Sequence, residues 1–122
     1  MISWFEKNRS LSSIITIIIA VIIFYVSSLT FVGTGGAGYM SYVYHFTAFS
    51  YLSLFLLISM TKGKPKRNLI ILGLIIAILY GISDEIHQHF VPGRESSLKD
   101  ILVNSVAILI TGIAYSNYCM KK

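Results

Sequence analysis

The feature that most limits how this chain can fold is a series of four long apolar stretches, at about residues 11–32, 41–61, 68–90 and 97–118. A helix rises about 1.5 Å per residue, so each stretch is long enough to cross a hydrocarbon core of about 30 Å. Only 12% of the 122 residues are charged, whereas a soluble domain has about a quarter. The sequence therefore predicts an all-α integral membrane four-helix bundle, with residues 1–122 forming a single domain.

The basic residues predict the orientation of this bundle. Eight of the ten lie before the first stretch, between the second and third, or after the last: Lys7, Arg9, Lys62, Lys64, Lys66, Arg67, Lys121 and Lys122. The connection "GTGGAGYM" holds no basic residue, and the last connection holds only Arg94. Basic residues favour the cytoplasmic side. We therefore expect a multi-pass protein of the cell membrane, with both termini and the middle loop in the cytoplasm.

The ionisable residues are concentrated in "SDEIHQHFVPGRESSLKD", residues 83–100, which holds four of the five acids and two of the three histidines. Helical residues three or four apart share a face. The third helix should therefore present Asp84, His87 and Gln88 on one face and Glu85 with His89 on another. This segment follows an apolar run directly, and acids at membrane depth are costly unless they are paired. The predicted orientation places the cluster on the extracytoplasmic side.

Three further residues are expected near this cluster. Asp100 and Asn104 share a face of the fourth helix, and His45 lies at a similar depth near the start of the second. Pro92-Gly93 breaks the third helix, which puts Arg94 at the turn between the last two helices. A polar site assembled from three helices and one turn is the resulting prediction.

Three kinds of chemistry are open to such a site. Asp84 or Glu85 could act as a general acid or base, with His45 or His87 carrying protons. The pairs Glu85–His89 and Asp84–His87 have metal-ligand spacing, but the signal is weaker than an H-E-x-x-H helix. No metal and no cofactor are predicted. Substrate binding is the third possibility, with an anionic group held by Arg94 and further contacts from Gln88, Asp100 and Asn104.

With their spacing, these residues read D-E-x-x-Q, five residues, R, five residues, D, three residues, N, from Asp84 to Asn104. This pattern resembles the VanZ-like family of small integral membrane proteins. The upstream "YHFTAFSYLSLFL", which contains His45, is similar to the family's second motif, in which a histidine opens a helix. The resemblance covers about residues 42–110 and implies a multi-helix membrane protein.

The resemblance also sets the functional expectation. The family is named after a resistance protein that lowers susceptibility to the glycopeptide teicoplanin, and it implies no particular reaction. We expect this chain to act on or recognise a cell-envelope component at the outer leaflet. An anionic or lipid-linked precursor would suit Arg94, and whether the protein is an enzyme stays open. The alternative is a non-enzymatic protein whose polar cluster locks the helix bundle, and which acts through lipid or protein binding.

Membrane lipids are the expected partners of this chain, and nucleic acid is not. The net charge is +5, but most of the basic residues flank apolar stretches, as topology signals do.

Overall fold

The chain is almost entirely helical. The computed structural model describes residues 1–29, 38–93 and 97–122, and these residues form five helices and no strand. They are α1 (Ile2–Lys7), α2 (Arg9–Ser27), α3 (Gly38–Thr61), α4 (Arg67–His89) and α5 (Leu98–Lys121). Helices α2 to α5 are long and apolar enough to cross a membrane. The predicted all-α membrane fold is therefore confirmed.

The helix bounds agree with the predicted spans, except at the N-terminal end of the chain. Helices α3, α4 and α5 begin and end within three residues of the prediction. The sequence did not predict α1, which ends where the side-chain amide of Asn8 donates a 2.7 Å hydrogen bond to the carbonyl of Trp4. Helix α2 ends at Ser27 rather than near residue 32, and part of "GTGGAGYM" lies outside the described residues.

Helix α3 is the centre of the bundle. It packs against each of the other four helices, whereas the backbones of α2 and α5 do not approach each other closely over the described ranges. Successive long helices are antiparallel, so both chain ends and the loop after α3 meet at one end of the bundle. There an added Cβ on Gly63 would come within 2.6 Å of both Glu6 and Lys122 side-chain atoms. We call this the basic end. The opposite end, which holds His45, the last turn of α4 and the first turn of α5, is called the polar end.

The grouping of both chain ends with the middle loop agrees with the predicted topology. That the basic end faces the cytoplasm stays a prediction, based on the distribution of lysine and arginine.

Two apolar clusters fill the bundle between its ends. The one nearer the polar end contains Phe49, Ala77 and Ile108, and the one nearer the basic end contains Leu57 and Tyr115. Small residues let α4 approach its neighbours closely, as in other membrane bundles. The outward faces carry exposed isoleucine, leucine and valine, which suits contact with lipid tails.

Candidate functional site

Three ionisable side chains from three different helices meet at the polar end. They are His45 of α3, Glu85 of α4 and Asp100 of α5, with relative exposures of 0%, 3% and 8%. One ligand atom from each residue can be chosen so that all lie within 4.8 Å of one another. Nε2 of His45 and Oε1 of Glu85 are 3.9 Å apart. We call these three residues the His-Glu-Asp group.

The helices converge on this group because α4 has a glycine one turn below Glu85. A Cβ added to Gly81 would lie 3.3 Å from Cε1 of Phe49 and 3.5 Å from Cβ of Asn104. Phe49 is one turn from His45, and Asn104 is one turn from Asp100. A layer of close contacts among α3, α4 and α5 therefore lies directly beneath the group.

The start of α5 connects Asp100 to Glu85. The hydroxyl oxygen of Ser97 caps the helix and accepts a hydrogen bond of 3.3 Å from the Asp100 backbone N–H. The Ser97 backbone N–H in turn donates to Oε2 of Glu85, also at 3.3 Å. Asp100 lies in the first turn, where the helix dipole favours a negative charge. These bonds tie the Glu85 carboxylate and the backbone of the first turn of α5 to the same residue, Ser97.

Three other polar residues of α4 and α5 near this end are also buried: Asp84, Gln88 and Asn104. The amide nitrogen of Gln88 donates to Oδ2 of Asp84 at 3.1 Å. Within the part of the chain that the structure describes, the amide oxygen of Gln88 and both amide atoms of Asn104 have no hydrogen-bond partner. Buried polar atoms are rarely left this way, because doing so costs about 1–3 kcal/mol each. The polar end is therefore equipped for more hydrogen bonds than the described side chains make.

The other two histidines lie apart from the His-Glu-Asp group. The ring of His87 stacks on Phe24 of α2, with centroids 4.6 Å apart, and its Nε2 lies 2.9 Å from the hydroxyl oxygen of Ser28. His89 is exposed and packs edge-on against Phe90. His45 is thus the histidine that the fold brings to the buried acids. Arg94, the predicted anion-binding residue, lies outside the described residues.

A groove of about 390 Å³ opens beside Glu85, between the end of α4 and the start of α5. Its lining residues are Glu85, Ile86, His89, Phe90, Ser97, Leu98 and Ile101. The walls are mostly apolar, and Glu85 belongs both to the groove and to the buried group. The groove therefore connects the bundle surface with the ionisable residues.

The fifth acid forms a second buried cluster that the sequence analysis missed. Glu6 of α1 accepts a 2.9 Å hydrogen bond from the Tyr115 hydroxyl and is paired with the Lys122 ammonium. The hydroxyls of Tyr115 and Thr61 are 3.2 Å apart. The hydrogen bond to Glu6 raises the pKa of Lys122. The only sequence signal was an acid beside the aromatic pair Trp4-Phe5, and it gave no indication of these partners.

The fold and the polar end together define a class: a small four-span helical membrane protein with a buried, ionisable site at one end. The sequence profile of the VanZ/LLP1 family matches residues 4–119, nearly the whole chain. The chain belongs to this family, which confirms the resemblance. Comparisons with curated proteins and with solved structures gave no match.

Proposed function

We propose that this VanZ/LLP1 protein recognises an anionic, lipid-linked component of the cell envelope at the outer leaflet, and that the polar end is its binding site. The observation that carries the proposal is the shared position of Glu85. Its side chain belongs to the buried group and also lines an apolar groove at the bundle surface. In a lipid with an apolar chain and a polar headgroup, the chain would contact the groove and the headgroup would contact the ionisable residues.

The groove supports the choice of a lipid-linked ligand. Leu98 and Phe90 are 80% and 78% exposed and lie at the mouth of the groove, where an isoprenoid or acyl chain could cover them. Such a chain already lies in membrane hydrocarbon, so these contacts act by packing rather than by transfer from water. They would hold the headgroup of the lipid beside Glu85, whereas a ligand without an apolar chain would lack these contacts.

Arg94 supports the choice of an anionic headgroup. It is the basic residue between the third and fourth apolar stretches, and it follows the end of α4 by five residues. A guanidinium can bind a phosphate or carboxylate with two parallel hydrogen bonds. In this proposal Arg94 holds the anion, and Gln88 and Asn104 offer it amide groups. Asp84, Glu85 and His45 are the candidates for acid–base steps if binding leads to a reaction.

Lipid binding by the purified full-length chain tests the proposal. We suggest nanodiscs of neutral phosphatidylcholine containing either undecaprenyl phosphate or the uncharged undecaprenol, with bound lipid quantified by mass spectrometry. The phosphate form should bind at least about tenfold more tightly, equivalent to about 1.4 kcal/mol, and Arg94→Gln should remove most of this preference. Equal retention of the two lipids would rule out recognition of the anion.

A phenotype measurement connects binding to the envelope. Cells that express the wild-type chain, Glu85→Gln or Arg94→Lys would be compared for teicoplanin susceptibility and for the amount of folded protein. Loss of protection in stably folded variants supports a site. Glu6→Gln is the matched control, since it removes a buried acid at the other end of the bundle.

A second candidate function uses the same residues as a structural lock. Glu85 accepts the Ser97 backbone N–H across the α4–α5 turn, a contact that stabilises the packing of the two helices whether or not a ligand binds. In that case the chain acts through lipid or protein binding elsewhere on its surface. Unfolding of both Glu85→Gln and Arg94→Lys in detergent favours the lock over the binding site.

A further inference from the structure

We propose that the His-Glu-Asp group binds one divalent transition-metal cation, with Zn²⁺ the best fit. The ligands would be one nitrogen of His45 and one carboxylate oxygen each from Glu85 and Asp100. These residues come from α3, α4 and α5, so the ion would join the three helices at the polar end. The inference does not depend on the proposed function, because ion binding requires no lipid.

The distances within the group suit a shared ion better than direct hydrogen bonds. At 3.9 Å, His45 Nε2 and Glu85 Oε1 are too far apart to hydrogen-bond to each other. Tetrahedral ligands at about 2.0–2.1 Å from zinc are separated from one another by about 3.4 Å. The candidate ligand atoms all lie within 4.8 Å of one another, so side-chain rotations that close the gaps by at most about 1.4 Å would complete a three-ligand site.

Electrostatic attraction supports the same conclusion. Glu85 and Asp100 place two acidic side chains in a buried position, and a divalent cation bound between them would be attracted to both carboxylates.

The buried amides beside the group provide an independent indication of a ligand. Asn104 is 1% exposed and Gln88 is 0% exposed, and they lie one helical turn or less from Asp100 and Glu85. Both amide atoms of Asn104 and the oxygen of Gln88 have no hydrogen-bond partner within the described ranges. Amide groups next to metal ligands commonly orient the ligands or a metal-bound water, which would satisfy these atoms.

The donor set selects among metals. An imidazole nitrogen with carboxylate oxygens suits Zn²⁺ and other borderline cations, whereas Mg²⁺ and Ca²⁺ prefer oxygen alone. The spacing pairs in the sequence, Glu85–His89 and Asp84–His87, are not the set that the fold assembles. His45 is 40 residues from Glu85 in the chain, so no local motif could show this combination.

The test uses the full chain, purified in detergent without a polyhistidine tag or added lipid, stripped with chelator and dialysed against Zn²⁺. We expect about one zinc ion per chain by elemental mass spectrometry, as for a single three-residue site. Zinc should also raise the Tm in a concentration-dependent manner, whereas Mg²⁺ should not. Glu85→Gln and Asp100→Asn should each weaken zinc binding about 100-fold.

The controls separate this site from other zinc-binding groups. Glu6→Gln removes a buried acid at the basic end, and His87→Gln removes a histidine that contacts α2; both variants should bind zinc as the wild type does. Unchanged zinc content in Glu85→Gln and Asp100→Asn would overturn the proposal. Should those variants not fold, the wild-type Tm decides, and a Tm that zinc does not raise also overturns it. Lipid binding can fail in nanodiscs while zinc binding succeeds in detergent, so the two proposals fail separately.

Discussion

The hydroxyl of Tyr115 donates a 2.9 Å hydrogen bond to Oε1 of Glu6 and thereby joins the last helix to the first across 109 residues. Both residues are buried, at 2% and 7% exposure. Thr61, at the end of α3, lies within hydrogen-bond distance of the same hydroxyl. The contact therefore anchors α1 at the basic end, where Phe5 also packs edge-on against Phe55.

Replacing Tyr115 with phenylalanine tests how much this contact stabilises the bundle. The variant keeps the ring but leaves a buried oxygen of Glu6 without its hydroxyl donor, which costs about 1–3 kcal/mol. We expect a lower Tm in detergent with unchanged helix content by circular dichroism. Tyr51→Phe is the control, because Tyr51 is 55% exposed on the outer surface of the bundle. Equal Tm values for the two variants would show that the contact contributes little.

The Lys122–Glu6 pair predicts a pH dependence at high pH. The hydrogen bond from the Lys122 ammonium to Glu6 raises the folded-state pKa of Lys122 above the ordinary value of 10.5. The stabilisation is therefore complete below that pH and is lost as the pH rises through the raised pKa. Since the Lys122 side chain is 36% exposed, the pair should contribute no more than about 1 kcal/mol.

Thermal unfolding between neutral pH and the alkaline range measures this contribution. The Tm difference between the wild type and Lys122→Gln should be constant at neutral pH and should shrink at alkaline pH. Lys121→Gln serves as the control, since Lys121 is exposed. A difference that grows with pH would contradict the assignment.

The spans could be predicted from the sequence because length and apolarity alone decide whether a helix crosses a membrane. The shared faces of α4 and α5 were also predictable, and Asp84, Gln88, Asp100 and Asn104 are all buried. Which acid meets His45 was not predictable. Asp84 and Glu85 differ by about 100° around the helix, and only the packing of α4 against α3 and α5 decides between them.

Two other features depend on contacts that local sequence does not encode. The spacing of His87 places it on a helix face with Asp84 and Gln88. In the structure, however, its ring contacts Phe24 and Ser28 of α2. Helix α1 is too short to give a periodic signal, so its burial of Glu6 follows from partners 109 and 116 residues away, Tyr115 and Lys122. The helical spacing of residues therefore does not predict these contacts, because they form between helices that are far apart in the sequence.

The orientation of the bundle can be tested with single cysteines. Starting from Cys119→Ser, which removes the one native thiol, Phe90→Cys and Lys64→Cys place thiols at exposed positions of the polar end and the middle loop. The positive-inside rule predicts that a membrane-impermeant maleimide labels the first in intact cells, and the second only after lysis. The reverse pattern would place the polar end in the cytoplasm and remove the basis for outer-leaflet recognition.

The close contact at Gly81 predicts a coupling between bundle packing and the His-Glu-Asp group. In Gly81→Ala the new Cβ lies 3.3 Å from Cε1 of Phe49, so the ring must shift by a few tenths of an ångström. Alanine favours the helix by about 0.5–1 kcal/mol, but overpacking costs about 1–3 kcal/mol, so we expect a lower Tm. Phe49 is one turn from His45, so we expect its displacement to shift this part of α3, to separate His45 from Glu85 and to lower zinc affinity.

A double-mutant cycle in detergent identifies the cause of that loss. Phe49→Leu removes the ring edge that the new methyl group meets, so Gly81→Ala should be less destabilising in that background than alone. Ser83→Ala is a control for a change on the exposed face of α4 and should leave both Tm and zinc affinity unchanged. Purely additive effects at Gly81 and Phe49 would show that their contact does not set the helix spacing. In that case the position of His45 must depend on other contacts of α3.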